Sequence, residues 1–403
     1  MHLLNVADYC EQARRLLPKG LYEFVHRGTE DDLALQNNRQ AFDDLRLVPK
    51  VLVDVSGRDA RCTLFGKPWA MPLAIAPTGA AGLMCYQGEI ALARAAAKAG
   101  VPFTVATGSL TSMEQIAEQA GGNLWFQLYI WPDKSASYEL VARAERAGYE
   151  ALVVTVDTAV TSNREYNVRN GFTIPFRFTR KNILDVMGSP RWLLKVIARY
   201  MFTSGLPQYE NYPAAMRTRV TAQPVGKAMK KTDMLTWDDL RQLREVWPRT
   251  LIVKGIMDAG DARKAVECGA DGIIVSNHGG RMLDNAIAPL HALPPIAAEL
   301  GGEVPILLDG HVRRGADIVK AMALGASGVL VGRPTLYGVA VRGQAGAAHV
   351  LALLKEELLR VMGLIGRPTL DRIDAGCLAP ADWRASVVEL TNGRRSPLNK
   401  AED

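Results

Sequence analysis

The sequence DGIIVSNHGGRMLD, residues 271–284, joins a short apolar run to a cluster of polar residues and glycines. The run is brief and β-branched, which is typical of a buried strand in a parallel sheet. Its polar residues begin where the run ends. We therefore expect His278 and Arg281 to lie at the carboxyl end of a strand, beside glycines that let a ligand approach the backbone closely.

Eight apolar runs share this form, and each ends in a polar or glycine-rich break before a segment with helical spacing. The runs are MPLAIAPTG (71–79), PFTVATG (102–108), LWFQLY (124–129), ALVVTVD (151–157), LIVKG (251–255), GIIVSNH (272–278), PILLDG (305–310) and GVLVGR (328–333). Eight strands that alternate with helices predict an α/β fold, the (β/α)8 TIM barrel, whose strand ends all open on one face. A doubly wound open sheet is the alternative, but no GxGxxG follows the first strand.

We expect a single domain over residues 1–403, with an N-terminal helical section and the barrel over about 70–365. Residues 175–230, after the fourth strand, form an insertion far longer than a barrel crossover requires. Its segment PRWLLKVIARYMF carries a basic stripe of Arg191, Lys195 and Arg199 beside an apolar face. That face consists of Trp192, Leu193, Val196, Ile197, Tyr200 and Met201. The pattern predicts a helix in a membrane interface, and the alternative is a helix packed on the barrel or on another subunit.

The composition excludes several classes of protein. The chain has 403 residues, 48% of them hydrophobic. Its net charge of +6 fits anionic ligands, nucleic acid or an anionic membrane surface, and the charge alone does not choose among them. Five cysteines without a CxxC pair argue against a disulfide framework, a zinc ribbon or haem attachment. The N-terminus has no apolar h-region, and no window approaches the roughly 18 apolar residues of a membrane span. We expect a cytoplasmic protein with no metal site and no nucleic-acid partner.

Polar residues stand at all eight predicted strand ends, where the active sites of this fold lie. Arg313 and Arg333 follow strands seven and eight, where phosphate commonly binds. Gln127 and Thr155 lie across the barrel mouth and suit the amide groups of a flavin ring. Lys254 either forms a Schiff base with a carbonyl substrate or stays protonated and stabilises a reduced flavin. Together these residues suit flavin mononucleotide, FMN.

The remaining polar residues describe a substrate. Arg164 and Arg281 are two guanidinium groups that suit a carboxylate, and Tyr129 is a donor for the same carboxylate or an adjacent hydroxyl. His278 is the predicted general base, and Asp157 pairs with the imidazolium that forms when it takes a proton. The predicted reaction oxidises a 2-hydroxy acid to a 2-oxo acid and passes two electrons to the flavin.

The chain resembles the family of FMN-dependent 2-hydroxy acid oxidases and dehydrogenases over nearly its whole length, from NVADY to GLIGRPTLDRI. The motif SNHGGR-x-LD carries the resemblance, with APTG, FQLY, TVDT, DGxxRRG and GRP in the expected order. The resemblance implies catalytic roles for His278, Tyr129, Asp157 and Arg281, and substrate binding by Arg164, Arg281 and Tyr129. The implied flavin-binding positions are Pro77, Thr78, Gly79, Thr107, Gln127, Thr155, Lys254, Ser276, Asp309, Gly310, His311, Val312, Arg313, Gly332 and Arg333.

Three positions depart from the family's pattern. The chain has YEFV at residues 22–25 where the family usually has YxYY, so Phe24 replaces a tyrosine that contacts the substrate carboxylate. Ala106 replaces a serine that often contacts flavin, which leaves Thr107 as the nearby hydroxyl. His311 replaces the usual glycine of DGGxRRG. We expect Phe24 to line the substrate pocket and to make it less polar.

The chain resembles the mandelate and lactate dehydrogenase branch of the family at three places. They are Gly79, where many oxidases of the family have alanine, and the stretches PRWLLKVIARYMF and TWDDLRQLREVWPRTLIVKG. This branch implies a mandelate-like (S)-2-hydroxy acid as substrate. Electrons then pass to a quinone at the inner face of the cell membrane. The alternatives are L-lactate as substrate, O2 as acceptor, a non-redox lyase that uses Lys254, and a membrane-bound binding protein without catalytic activity. A homotetramer is the expected assembly.

Overall fold

A closed barrel of eight parallel strands forms the centre of the computed structural model, which describes residues 2–172, 179–213, 216–221 and 234–381. The strands are β1 (Leu73–Ile75), β2 (Phe103–Ala106), β3 (Leu124–Leu128), β4 (Ala151–Thr155), β5 (Thr250–Ile256), β6 (Gly272–Val275), β7 (Ile306–Asp309) and β8 (Gly328–Val331). Neighbours around the barrel follow chain order, and β8 pairs with β1 to close it. The predicted (β/α)8 barrel and its eight strands are confirmed.

Helices alternate with the strands and form the outer layer of the barrel. They are Ala81–Met84, Gly88–Ala99, Met113–Ala120, Lys134–Arg146, Trp237–Val246, Ala259–Glu267, Pro289–Leu300, Gly315–Ala323 and Arg333–Leu364. The apolar side of each helix packs against the barrel, and all eight strands are largely buried because helices cover them. The last helix bends at Arg342 and Gly343, whose backbone angles are not helical.

The amino-terminal end of the barrel is closed by aromatic side chains. A hairpin of Cys62–Leu64 and Lys67–Trp69 places Phe65 and Trp69 against Trp125, with ring centroids 5.6 Å apart in both pairs. Apolar side chains from most of the strands, including Val153 and Ile274, form one cluster with these rings and fill the interior. Polar groups of the barrel therefore gather at its carboxyl end.

The N-terminal section is tied to the loop after β6. It consists of helices Val6–Leu16, Lys19–His26 and Leu33–Asp43, and of Leu45–Leu47, which pairs with Leu378–Pro380. The Asp284 carboxylate accepts the backbone N–H groups of Asp31 and Ala34 at 3.0 and 3.1 Å. Gly280 has a φ of 72°, and a Cβ there would lie 2.6 Å from Leu35 N. This glycine of the SNHGGR motif thus admits a neighbouring helix, whereas the sequence suggested the approach of a ligand.

The insertion between β4 and β5 contains helices Glu165–Arg169 and Arg180–Met187 and a continuous helical segment, residues 190–203. Residues 175–178, 214–215 and 222–230 of the predicted insertion lie outside the described residues. Val196 and Tyr200 are buried, and Trp192 Nε1 donates to Leu83 O at 2.6 Å. Part of the predicted membrane face therefore packs on the barrel.

A different set of apolar side chains faces outward from the insertion. Between residues 180 and 203 the exposed members are Ile183, Leu184, Met187, Leu194, Met201 and Phe202. Of the predicted membrane face, only Met201 belongs to this exposed set, because the helix turns its other apolar side toward the barrel. In the part of the chain that the structure describes, no helix combines the length and the apolar character needed to cross a membrane.

Candidate active site

Most of the predicted site residues line one cavity of about 340 Å³ at the carboxyl ends of the strands. The predicted residues in its lining are Phe24, Pro77, Thr78, Gly79, Gln127, Tyr129, Thr155, Arg164, Lys254, His278, Arg281, Asp309, His311, Val312, Arg313, Gly332 and Arg333. Ala106 lines it as well. The other four predicted residues, Thr107, Asp157, Ser276 and Gly310, lie next to lining residues by hydrogen bond or in sequence.

A histidine and a carboxylate from two strand ends meet at this cavity. Asp157 follows β4 and His278 follows β6, and His278 Nδ1 lies 2.9 Å from Asp157 Oδ1. Because a carboxylate accepts, the imidazole carries its proton on Nδ1, which leaves Nε2 as the basic nitrogen. The pair can therefore take up a proton at Nε2 and stabilise the resulting imidazolium through Asp157.

A buried ion pair occupies the ends of β5 and β7. Lys254 Nζ lies 3.1 Å from Asp309 Oδ2 and donates to Ser276 Oγ at 2.9 Å, and Ser276 Oγ donates to Asp309 at 3.0 Å. Burial opposes the charge of Lys254, but the carboxylates of Asp309 and Asp157 outweigh it and raise the pKa of the lysine. Lys254 is therefore held as a cation, which is the wrong state for Schiff-base formation.

Two guanidinium groups crowd the side of the cavity nearest helix Lys19–His26. Burial, and then the charge of Arg164, lowers the pKa of Arg281 to about 9. Burial likewise lowers the pKa of Arg164. Arg281 Nη1 donates to the carbonyl of Phe24 at 2.9 Å, and its guanidinium carbon lies 5.4 Å from the centre of the Phe24 ring. A bound anion would offset the mutual repulsion of these cations.

Tyr129, at the end of β3, faces the same region. Burial, aided by the negative charge of Asp157, raises the pKa of its hydroxyl above the ordinary value. The hydroxyl therefore stays protonated near neutral pH and is available as a hydrogen-bond donor. Gln127 on the same strand is held by Thr107, whose Oγ1 donates to the backbone carbonyl of Gln127 at 2.6 Å and whose backbone N–H donates to Gln127 Oε1 at 3.2 Å.

Positive charge also gathers where β7 and β8 end. Arg333 donates to the carbonyls of Val25, Gly279 and Arg27 at 2.9 to 3.0 Å, which fixes its guanidinium. Burial lowers the pKa of Arg313. The imidazole of His311 lies beside both and is largely buried, and this burial, followed by the charges of Arg313 and Arg333, lowers its pKa to about 2. This end of the cavity suits a phosphate.

Several buried polar atoms of the lining have no hydrogen-bond partner among the described residues. They are Thr78 Oγ1, Gln127 Nε2, Thr155 Oγ1 and His311 Nδ1. Buried polar groups in folded proteins almost always have hydrogen-bond partners, so a polar ligand in this cavity would supply partners for these donors and acceptors. Their spread, from the mouths of β1, β3 and β4 to the cationic end after β7, fits a long molecule with a polar ring and a phosphate, and FMN has both.

The sequence did not identify two further lining residues, Tyr209 and Tyr212. Both lie in the insertion, both are largely buried, and their rings stack with centroids 4.8 Å apart. Tyr212 also meets Trp131 edge to face at 5.1 Å. The stretch PQYENYP offered a signal, since tyrosines and prolines cluster there in an otherwise polar loop. They give the cavity an aromatic wall.

Comparisons with known proteins identify the family of this chain. The family model for FMN-dependent dehydrogenase matches residues 13–380. The (S)-mandelate dehydrogenase of Pseudomonas putida is 42% identical over 367 residues, 91% of each chain. The putative L-lactate dehydrogenase of Mycobacterium tuberculosis is 39% identical over 373 residues, 92% of this chain and 87% of that protein.

A solved structure completes the comparison. The crystal structure of the monotopic membrane protein (S)-mandelate dehydrogenase matches with a TM-score of 0.89 and 41% identity, and the match covers 94% of this chain and all of that one. The predicted resemblance and the predicted cofactor are confirmed. The chain is therefore an enzyme that belongs to the FMN-dependent dehydrogenase family.

Proposed function

We propose that this enzyme oxidises an aromatic (S)-2-hydroxy acid of the mandelate type to the 2-oxo acid, with a membrane quinone as the final electron acceptor. The hydroxy acid loses two electrons and two protons. When bound, FMN supplies the two-electron acceptor for this oxidation. Residues of the chain bind the acid, hold its carboxylate and take up a proton.

His278 is the proposed general base. Its contact with Asp157 at 2.9 Å orients the ring and directs Nε2 to proton uptake. As the imidazole becomes charged, the contact turns into an ion pair in a half-buried site, which stabilises the protonated form. General-base catalysis of this kind contributes about 10² to 10⁴ in rate.

Arg164 and Arg281 are the proposed carboxylate ligands, and Tyr129 is a proposed donor to the carboxylate or the hydroxyl of the substrate. The lowered pKa values of the two arginines support this assignment, since they indicate two neighbouring cations, poorly exposed to water, that an anion would stabilise. Lys254 is proposed to hold a positive charge beside the flavin. Its raised pKa supports this role and argues against a lyase.

The cationic end of the cavity is the proposed phosphate site of FMN. Arg313, Arg333 and His311 would hold the phosphate there. The proposed contacts to the ring come from Thr78, Gln127 and Thr155, whose polar atoms have no partner among the described residues. Pro77, Gly79, Asp309, Val312 and Gly332 also line the cavity, and Thr107, Ser276 and Gly310 lie next to lining residues.

The aromatic wall is the observation that carries the substrate proposal. Phe24 faces the cavity from helix Lys19–His26, and Tyr209 and Tyr212 face it from the insertion. Phe24 also lies 5.3 Å from Phe172, centroid to centroid. An aromatic substituent on the acid would find apolar and ring contacts here, worth about 0.5 to 1.5 kcal/mol for each ring pair beyond burial. L-lactate would leave this wall uncovered.

Anaerobic reduction of the bound flavin tests the substrate directly. Absorbance of the holoenzyme is followed after mixing with (S)-mandelate, (R)-mandelate, L-lactate or glycolate, and (S)-mandelate is expected to give the highest kcat/KM. The Phe24→Tyr variant should shift the ratio toward L-lactate, because it adds a hydroxyl to the wall. A higher kcat/KM for L-lactate in the unaltered enzyme would instead favour an L-lactate dehydrogenase. Faster reoxidation by O2 than by a soluble quinone would favour an oxidase.

The exposed apolar residues of the insertion support a location at a membrane surface. Leu184, Leu194 and Phe202 project from neighbouring helical segments, and Arg191 and Lys195 are exposed beside them. Apolar groups with adjacent cations are typical of proteins that bind the interface of an anionic membrane. We place the enzyme on the inner face of the cell membrane, within reach of a quinone. The homotetramer stays a prediction, which the mass of the detergent-solubilised protein will test.

A further inference from the structure

A second and larger cavity lies between the insertion and the barrel. Its volume is about 1020 Å³, and it is bounded by residues 190–203, by the end of helix Val6–Leu16 and by the bend of helix Arg333–Leu364. It shares no lining residue with the cavity at the strand ends. Apolar side chains form much of its surface, among them Leu16, Leu17, Met84, Trp192 and Val339. We call this cavity the insertion groove.

Four cationic side chains line the insertion groove. Three of them, Arg191, Lys195 and Arg199, form the basic stripe of the insertion, and Arg342 reaches the groove from the barrel side. None of the described lining residues is acidic, and none of the four cations forms an ion pair with a carboxylate among the described residues. A concentration of like charge without counter-charge is complementary to an anion.

Irregular backbone shapes both walls of the groove. On the insertion side, Leu193–Ala198 is a π-helical turn, a rare form that is frequent at functional sites. On the barrel side, Gly343 has a φ of 57° and Arg342 is not helical, so the last helix bends where it meets the groove. Trp192, whose Nε1 donates to Leu83 O, anchors the insertion across the gap.

The groove is continuous with the surface that we place against the membrane. Leu194 lines the groove and is also strongly exposed, and Met201 and Phe202 follow on the same helical segment. A molecule in the groove would therefore have an apolar route to the bilayer. Its polar end would meet cations and its apolar end would meet aliphatic and aromatic side chains.

We propose that the insertion groove binds one anionic phospholipid, with the phosphate among Arg191, Lys195, Arg199 and Arg342 and an acyl chain along the apolar wall. The proposal rests on the membrane location proposed above and adds a stoichiometric lipid site to it. A free fatty acid shares this chemistry, an anionic head on an apolar tail. We favour the phospholipid because four cations suit a phosphate better than a single carboxylate.

Native mass spectrometry of the FMN-loaded full-length enzyme tests the proposal. The probes are dihexanoyl phosphatidylglycerol, dihexanoyl phosphatidylcholine and octanoate, each below the concentration at which it forms micelles, so that no bilayer is needed. Arg342→Gln removes a cation that is exposed and lies outside the insertion. Ala340→Trp fills the apolar part of the groove. The matched control is Arg372→Gln, because the side chain of Arg372 is exposed and does not line the groove.

We expect one phosphatidylglycerol per chain, bound about tenfold more tightly than phosphatidylcholine or octanoate. Arg342→Gln and Ala340→Trp should each weaken it about tenfold, and Arg372→Gln should leave it unchanged. Reduction of the flavin by substrate should be normal in all three variants, which separates this site from the proposed reaction. Binding of many lipids without saturation, equal affinity for phosphatidylcholine, a preference for octanoate, or insensitivity to both groove variants would overturn the proposal.

Discussion

Among single residues, His278 combines an imidazole that faces the cavity with an uncommon backbone conformation. Its φ of 58° lies in the left-handed region, which few residues other than glycine adopt without strain. The turn is fixed by Ser276, whose Oγ accepts the backbone N–H of His278 at 3.0 Å. Because Ser276 also contacts Lys254 and Asp309, the position of the imidazole is coupled to the buried ion pair.

Replacement of His278 tests its proposed role as the general base. We expect His278→Gln to fold and to retain FMN, because its side chain takes no part in the cationic end after β7. Flavin reduction by substrate should slow by at least about 10²-fold, since glutamine cannot take up a proton. Anaerobic stopped-flow absorbance measures the rate. Reduction at a near-normal rate would contradict the assignment, and an unchanged flavin spectrum is the control for folding.

His311 makes stability depend on pH. Its pKa falls to about 2, first because of burial and then because of Arg313, Arg333, Arg39 and His26. The unfolded chain holds this histidine near its ordinary pKa of about 6.5. As the pH falls below that value, His311 binds a proton in the unfolded state but stays neutral in the folded state. The free energy of unfolding therefore decreases with acidification. The loss is about 1.4 kcal/mol for each pH unit between 6.5 and the folded pKa.

The variant His311→Gly should remove the loss of stability that His311 causes on acidification. Its backbone φ of 65° suits glycine, so the exchange introduces no backbone strain. In the flavin-free enzyme, the loss of unfolding free energy between pH 7.5 and pH 5 should be about 2 kcal/mol smaller than in the unaltered protein. Urea denaturation at the two pH values measures it. His26, whose pKa burial and then Arg333 lower to about 4, contributes equally to both proteins. Identical pH dependence in both would show that His311 is not buried as a neutral imidazole.

At the scale of elements, the sequence predicted the barrel well and the insertion only in part. Each barrel strand is a short apolar run that ends at a polar residue, so its position and its exit residue are local properties of the chain. Tyr212 reaches the active site from a loop more than fifty residues beyond β4, and no local pattern states where such a loop folds back. The helix at 190–203 is apolar on two sides, so its orientation depends on long-range contacts such as that of Trp192 with Leu83.

Exchange of exposed apolar residues tests the outward face of the insertion. Phe202 is 90% exposed and Leu184 is 68% exposed. We expect the double variant Leu184→Glu with Phe202→Glu to lose most of its co-sedimentation with anionic liposomes, because each change removes apolar contact and adds repulsion. Leu364→Glu is the matched control, since Leu364 is 65% exposed at the end of the last barrel helix. Equal binding of both variants would place the membrane contact elsewhere.

Across the molecule as a whole, the two ends of the barrel differ in what they contribute: the amino-terminal end stabilises the fold, and the carboxyl end forms the candidate binding site. The amino-terminal end is packed with Phe65, Trp69 and Trp125, which supply a core that needs no ligand. The carboxyl end holds cations in a largely buried setting and polar atoms that have no partner among the described residues, and both destabilise the fold when no ligand is bound. The energetic cost of the active site is therefore local, and the bound cofactor should offset it.

This division predicts how strongly different flavins stabilise the enzyme. FMN should raise the unfolding free energy of the flavin-free protein by about 2.7 kcal/mol at a concentration 100 times its Kd. Riboflavin has the same ring but no phosphate. By the proposed assignment it would bond to Thr78, Gln127 and Thr155 but would leave Arg313 and Arg333 without an anion. At equal concentration it should stabilise the protein much less. Thermal unfolding with either flavin measures the difference in stabilisation. Arg313→Gln should make this difference smaller, because it weakens the binding of FMN but not that of riboflavin. Equal stabilisation by both flavins would show that the cationic end does not bind the phosphate. Arg313 and His311 would then have no part in cofactor binding.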